Sequence, residues 1–489
     1  MKKYSLLLCY GCFSFVLNAQ TIFNTTYNFS QIDNATSIIK TQDNNFVVGI
    51  STQLQPNTSY ILKLDALGDT LWQKKITNFV VRSLAEQTNG SLILTGVAND
   101  STFTEGALMS LTALGDSLWK KKFGNRDANI LNKVKIAPSG NIFVMGFTHS
   151  YPNPSDSTDA NGWLIKTDNL GNVIYDKQFN IGKNADIFMD IHIKTDESTY
   201  VIGYTSQVSQ QVSPLTGLIV HFNTNGDTLF TQQQPNTSIL YAIAETSDTN
   251  FILVGTTKVN GKDKGLVTKI TPQAIPIWQK SYARDTNNYD FRVVAPFNSN
   301  TYLVGGTDYD LTQNPIKKRV RFIVLNALGD SLWSQQYSHT GGNTENSLFS
   351  MTLNNNGGFV FSGNSWVFPQ QNAWVVSVDS IDCVNYVNGC QTVGVEEILN
   401  LEQETLNFLL YPNPNNGSFT IRLTHPIAIG FVSEEVSIEV YDVFGKQIHY
   451  TTTNTSTEIQ LDLGNVPKGF YLVSITTKKQ KEIKKIVVE

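Results

Sequence analysis

The sequence predicts an all-β chain made of repeated four-stranded units, and three observations predict it. The phrase Leu64-Asp-Ala-Leu-Gly-Asp-Thr-Leu-Trp72 returns as Leu111-Thr-Ala-Leu-Gly-Asp-Ser-Leu-Trp119 and Leu325-Asn-Ala-Leu-Gly-Asp-Ser-Leu-Trp333, with weaker copies closing on Tyr175, Phe230 and Trp278. The closing aromatics lie 47, 56, 55, 48 and 55 residues apart, a period that marks an array of supersecondary units. A glycine inside an apolar run also recurs, at Gly49, Gly96, Gly146, Gly203, Gly255, Gly305 and Gly363. Finally, 11 % of the 489 residues are aromatic and only 16 % are charged, a balance that suits strands joined by polar turns.

One unit, residues 37–76, gives the element order. Residues 37–41 read as a first short strand and Asp43-Asn44-Asn45 as a polar turn. Residues 46–50 are apolar nearly throughout, which predicts a second strand buried on both faces. Residues 60–64 form a third strand, and Ala66-Leu67-Gly68-Asp69 turns the chain, with Gly68 supplying the positive φ of a hairpin. Residues 71–76, with more polar alternation, are the fourth strand. Four antiparallel strands repeated radially make a propeller blade. Seven glycine-marked second strands predict seven blades, and their interior glycines predict close approach of another backbone, as crowding about a central axis would give.

The last unit lacks its closing strand. The missing copy is at the start, where Thr21-Ile22-Phe23-Asn-Thr-Thr-Tyr27 matches the pattern of Thr70-Leu71-Trp72, and Phe23 lies 49 residues before Trp72. The N-terminal strand is thus expected to complete the seventh blade, closing the ring and removing two free sheet edges.

The short turns between first and second strands and the Leu-Gly-Asp turns between third and fourth fall on one face. The second-to-third loops vary in length and lie on the other, where a rigid scaffold commonly carries function. They offer Tyr151, Asp156, Asp159, Asp308, Asp310, Tyr309, Trp366 and Phe368 as candidate ligand-binding residues, since exposed aromatics with carboxylates can stack on sugar rings and bond their hydroxyls. Solvent-facing loops packed on themselves are the plainer account of the same residues.

Signatures of catalysis are sparse. The six histidines show no pair at metal-ligand spacing, and no nucleophile elbow or phosphate loop occurs. No catalytic residue, metal or cofactor is therefore expected. A net charge of −5 without a basic run before the last dozen residues argues against a nucleic-acid partner.

The first nineteen residues read as a signal peptide, with Lys2 and Lys3 ahead of an apolar stretch and cleavage after Ala19. Cys12 after Gly11 offers a lipoprotein alternative, for which Cys9 and Tyr10 are poor neighbours. Cys383 and Cys390 remain in the mature chain, and in an oxidising compartment an even pair is expected to form a disulfide. Residues 20–390 are thus read as the propeller and the acidic stretch 391–405 as a linker. The short alternating strands of 406–489 read as a small Ig-like β-sandwich.

The tail contains Tyr411-Pro412-Asn413-Pro414 followed by Gly417, then Tyr441-Asp442 with Gly445-Lys446, then Gly469 with Tyr471, then a Lys-rich final strand with Lys485. Together these motifs resemble the type A C-terminal sorting domain of the Bacteroidetes type IX secretion system. The resemblance implies export through an outer-membrane translocon, removal of the tail by a sortase-like peptidase, and in many cases attachment to surface lipopolysaccharide. Residues 424–435 depart from the pattern as a longer apolar insertion. The Leu-Gly-Asp-x-Leu-Trp phrase resembles the repeats of quinoprotein-like propellers, a likeness that bears on fold alone. Asp69-Thr70-Leu71, Asp116-Ser117-Leu118, Asp227-Thr228-Leu229 and Asp330-Ser331-Leu332 resemble bacterial O-glycan acceptor sites, although a hairpin needs the same residues. The resulting expectation is an exported surface or extracellular binding module for a glycan or protein ligand. The rival is a secreted polysaccharide-active enzyme, a lyase or glycosidase on the same scaffold.

Overall fold

The computed structural model describes the chain from Thr21 onward, apart from 55–56, 99–103, 125–127, 150–159, 182–184, 207–214, 235, 260, 283–287, 299, 313–315, 340–344, 355–356, 368, 379–407, 424–435, 443–445, 454–457, 465 and 477–480. The expected leader, linker and disulfide cysteines lie outside the described residues. Two compact units are present, Met1–Val393 and Gly394–Glu489.

The first unit is a seven-bladed β-propeller. Blades 1 to 5 are separate four-stranded antiparallel sheets, each with its strands in sequence order. Blade 6 follows the same order and joins blade 7 through a single parallel bridge, Lys318 to Glu345. Blade 7 takes three strands from the end of the array and its fourth, Thr21–Tyr27, from the start of the chain, with Thr26 opposite Trp374.

Within a blade, burial follows strand position. In blade 1 the second strand, Phe46–Thr52, is buried at every residue, whereas the fourth, Thr70–Thr77, alternates exposed and half-buried. Side chains of adjacent blades make the cores. One cluster joins Phe188 of blade 4 to Phe143 and Leu164 of blade 3, and another spans the seam, joining Phe23, Val360 and Val375 to Ile38, Val48 and Leu62.

The strand glycines have a cause closer to hand than crowding at the axis. A Cβ at Gly96, Gly146, Gly203, Gly255 or Gly363 would lie 1.8–2.0 Å from a carbonyl oxygen of the first strand in the same blade. In each case that strand is bulged just beyond the contact, and the bulge pushes its carbonyl into the space. In blade 6 the crowded position is Gly306, 1.6 Å from the Asp290 oxygen, and Gly305 instead faces the Phe322 ring. Blade 1 is the exception. Ile50 stands opposite Ala35, and the atoms nearest a Cβ on Gly49 are side-chain carbons of Val81 and Leu84.

The second unit has a three-stranded and a four-stranded sheet. Phe419, Ile421 and Leu461 from one pack with Ile438, Val440, Val473, Ile475 and Ile486 from the other in a single apolar core, as in a sandwich.

Candidate binding site

The seven first strands are Asp33–Lys40, Phe79–Glu86, Asn129–Ile136, Ala185–Ile193, Ile239–Glu245, Asn288–Asn298 and Glu345–Leu353. Each touches the next, and the last touches the first, so together they wall the central channel. Each also has a register shift at the same place, which leaves one residue unpaired: Thr36, Arg82, Asn132, Met189, Tyr241, Arg292 and Phe349. The residue before each bulge is apolar and buried, from Ala35 to Leu348. The residue after it can tie the blades together. Ser350 Oγ accepts the Ile38 N–H at 3.2 Å across the seam, Ser37 Oγ accepts that of Leu84 at 3.2 Å, and Asp190 Oδ2 accepts that of Ile243 at 3.1 Å.

On the variable face, blades 4 to 6 enclose a cavity of about 780 Å³. Tyr241, Asp263, Asn288, Asp290, Arg292 and Tyr309 supply its chemistry. Asp290 organises the group. Its Oδ1 accepts the Thr307 N–H at 2.8 Å, and its Oδ2 accepts Arg292 Nε at 2.8 Å and the Tyr309 hydroxyl at 3.3 Å. The Arg292 guanidinium lies 5.0 Å over the Tyr241 ring, within the range of a cation–π contact. Burial opposes the charge on Arg292, but Asp290 and Tyr241 outweigh it and raise the pKa. Burial raises both phenols, with the Asp290 charge adding to the effect at Tyr309. The cavity therefore presents the flat rings of Tyr241 and Tyr309 with phenols held neutral at neutral pH and the Arg292 guanidinium fixed by Asp290, with Lys258, Asp263 and the buried Tyr289 completing its polar lining. The buried Asn288 Oδ1 has no hydrogen-bond partner among the described residues, and a buried acceptor of that kind calls for a donor. Rings that stack beside groups that both donate and accept suit a polyhydroxylated ligand.

Of the residues singled out from sequence, Tyr309 lines this cavity. Asp308, its neighbour, is buried and turned to Arg321 Nη2 at 3.0 Å and Gln336 Nε2 at 2.8 Å. Asp310 accepts the backbone N–H of Thr312 at 3.0 Å. Trp366 stands on the second strand of blade 7, opposite Gln371 and Glu345. Tyr151, Asp156, Asp159 and Phe368 lie outside the described residues. Sequence reasoning looked to loops and missed Tyr241, Asp290 and Arg292, which stand on first strands. A signal was present: aligned by period, each first strand shows two apolar columns three residues apart, as in Val81 and Leu84, spacing that a regular strand does not give. Among the described residues no three His, Cys, Asp or Glu side chains gather as a metal site.

In the second unit the sequence motifs form one connected structure. Asn413 Oδ1 accepts the Val487 N–H at 2.8 Å, and its Nδ2 donates to the Lys485 carbonyl at 3.3 Å. Asn415 adds backbone and side-chain bonds to the Val487 carbonyl at 2.9 and 3.0 Å. The Tyr411–Pro414 segment thus clasps the Lys-rich final strand. Tyr411 donates to Glu458 at 3.0 Å, and Gly417, at φ 102°, donates to Asn415 Oδ1 at 2.8 Å. Asp442 Oδ1 accepts the Lys446 N–H at 2.9 Å, closing a turn. Tyr471 is buried and donates to the Pro467 carbonyl at 2.6 Å. Beside it Phe470 and Leu472 are exposed, with Lys485 Nζ 4.6 Å from the Phe470 ring centre.

Residues 409–489 match the family described as the secretion system C-terminal sorting domain. The chain carries a type IX sorting domain. Such a domain directs its protein to the cell surface or the extracellular space and implies interaction with the type IX machinery. The match covers the sorting domain and leaves the propeller outside it. Among curated proteins none matches the sequence. Solved structures similar to the chain include a protein of unknown function from Dyadobacter fermentans (10 % identity, 74 % of this chain and 99 % of that one, TM-score 0.44). Others are Sqt1 from Chaetomium thermophilum (9 %, 74 % and 98 %, TM-score 0.43) and the Dos1 propeller (10 %, 69 % and 76 %, TM-score 0.40).

Proposed function

We propose that the propeller is a binding module for a glycan or protein partner, carried outside the cell by the sorting domain. The cavity of blades 4 to 6 is the observation that supports this reading. It pairs the Tyr241 and Tyr309 rings with fixed polar groups on the face of variable loops. Both oxygens of Asp290 are already engaged by Thr307, Arg292 and Tyr309, which suits a positioning role better than that of a general base. In this reading residues 1–19 are removed on export, 20–390 form the module, a Cys383–Cys390 disulfide closes its end, and 391–405 link it to the sorting domain at 406–489. The translocon, a sortase-like peptidase and a lipopolysaccharide anchor are the partners of that domain.

A glycan array probed with the exported protein tests the module. Retention of a glycan by the parent and its loss in Tyr309→Ala is the expected result. An array equally blank, or equally bright, for both proteins overturns the assignment to this cavity. Incubating any hit with the same preparation and measuring new reducing ends distinguishes binding from turnover.

A further inference from the structure

The seven bulge residues form a ring of uneven chemistry. Contacts run around it: Thr36 Oγ1 donates to the Val81 carbonyl at 3.0 Å, Arg82 Nη1 donates to Asn132 Oδ1 at 3.3 Å, and Asn132 Nδ2 donates to the Phe188 carbonyl at 2.9 Å and lies 4.0 Å from Met189 Sδ. Arg292 covers Tyr241. Two members of the ring, Tyr241 and Arg292, also line the cavity, so cavity and ring are continuous.

The two arginines of the ring differ. Arg292 is neutralised by Asp290 at 2.8 Å. Arg82 has no carboxylate within ion-pair reach among the described residues, and its bond to Asn132 is long. Its surface is open to water in the channel, while the surrounding protein opposes its charge and lowers its pKa. The adjoining first strand adds Lys133 and Lys135, and the carboxylate they share is Asp190, 3.3 Å from Lys135 Nζ. Arg82 is not itself a lining residue of the cavity, but it stands on the same ring of bulge residues that reaches the cavity at Tyr241 and Arg292, and it brings to that ring a positive charge with no carboxylate partner among the described residues. A guanidinium with donors to spare matches a carboxylate in shape and charge.

We propose that Arg82, held by Asn132, anchors the carboxylate of an acidic saccharide whose neutral rings occupy the Tyr241–Tyr309 cavity. This rests on the glycan-binding reading above and adds the ligand class, a uronate-bearing chain.

Calorimetry on the full exported chain tests it, with a short oligogalacturonate and its methyl ester as probes. The parent binds the acid more tightly than the ester. Arg82→Gln weakens binding of the acid by about ten- to hundredfold, the range for a charge-assisted hydrogen bond, and leaves ester binding unchanged. Arg82→Lys keeps the charge without the planar fork and falls between. Equal affinity of parent and Arg82→Gln for the acid overturns the proposal, as does a parent that favours the ester. In either case a neutral glycan still lost in Tyr309→Ala preserves the binding module, whereas loss of every glycan signal overturns both. If Arg82→Gln does not fold, Arg82→Lys decides by the same acid-against-ester comparison.

Discussion

Phe23 lies across Gly68, so that a methyl group on residue 68 would sit 2.6 Å from Phe23 Cγ. The same relationship repeats around the ring: Trp72 over Gly115, Trp119 over Gly171, Tyr175 over Gly226 and Trp278 over Gly329. At these five places the closing aromatic thus packs on the turn glycine of the next blade, and Phe23 makes that contact across the seam; blade 5 has Ala274 at the turn position instead. Gly68 also has φ 89°, so alanine there meets backbone strain and the ring together. Gly68→Ala is expected to cost about 2–4 kcal/mol. Gly140 has φ 92°, and a methyl group there would have nothing within 4 Å, so Gly140→Ala should cost about 1 kcal/mol, the backbone part alone. Urea unfolding at unchanged m-value measures both. Equal losses would mean that the Phe23 contact adds nothing to closure.

The hairpin phrase contains two polar devices of unequal worth. Asn326 Oδ1 accepts the N–H groups of Leu328 and Asp330 at 2.9 and 2.8 Å, and Asp65, Thr112, Asp168, Asn223 and Thr271 stand at the equivalent place in their turns. Between blades, Lys74, Lys177 and Lys280 reach Asp116, Asp227 and Asp330 at 2.7–2.8 Å. Those carboxylates are exposed, and Lys177 and Lys280 lower the pKa of Asp227 and Asp330. Exposed pairs contribute little once screened. Asn326→Ala is expected to cost about 1–2 kcal/mol at any ionic strength, and Lys280→Ala less than that, a loss that vanishes in high salt. Thermal melts in low and high salt separate the two. A larger loss for Lys280→Ala would reverse the ranking.

The same phrase shows how far sequence carries. Its period, its turn glycine and its absent seventh copy fix the blade number, because each reports a local requirement repeated along the chain. The interior strand glycines were legible as crowded positions, but the cause is a first-strand bulge, a two-against-one pairing that only the partner strand's register reveals. Blade 6 shows the consequence, since Gly305 and Gly306 look alike in sequence while only Gly306 faces the displaced carbonyl. The cavity was half legible. Tyr309 stood out at the start of a loop, whereas Tyr241 and Arg292 lie in first strands where a large polar residue looks like ordinary alternation. The hairpin Asp-Ser/Thr-Leu triplets, similar to glycan acceptors, have an architectural use in Asp116, Asp227 and Asp330.

Asp190 gives a pH prediction with a definite sign. Burial opposes its ionisation, but Lys135, Lys133 and the N–H groups of Ile243 and Ile191 outweigh burial and hold its pKa below the usual carboxylate value. At Lys135 burial outweighs the pair and lowers the pKa. A carboxylate with a depressed folded pKa contributes stability above its unfolded pKa, near 4, and that contribution is lost as pH falls through the folded value. Asp190→Asn keeps an acceptor for Ile243 N–H but leaves Lys135 without its carboxylate, at an expected cost of about 3 kcal/mol at neutral pH. The difference between parent and variant should shrink as pH drops below about 4. A difference that stayed constant from pH 7 to pH 3 would show that Asp190 acts only as a hydrogen-bond acceptor.

The clasp on the final strand makes export a structural test. Asn413 accepts from Val487 and donates to the Lys485 carbonyl, so one side chain joins the first and last motifs of the sorting domain. Asn413→Ala removes both bonds and leaves the final strand less firmly held, at about 1–3 kcal/mol. Asn413→Asp keeps the acceptor for Val487, loses the donor and sets a carboxylate against the Lys485 carbonyl, so it should not restore the parent. If the secretion machinery reads the clasped strand, Asn413→Ala accumulates in the periplasm, while Lys446→Ala, exposed at a turn closed by backbone and Asp442 bonds, exports more nearly as the parent does. Fractionating cells into periplasm, surface and medium measures this directly. Surface delivery of Asn413→Ala at the parent's level would show that the machinery reads the motif as sequence and does not depend on the clasp.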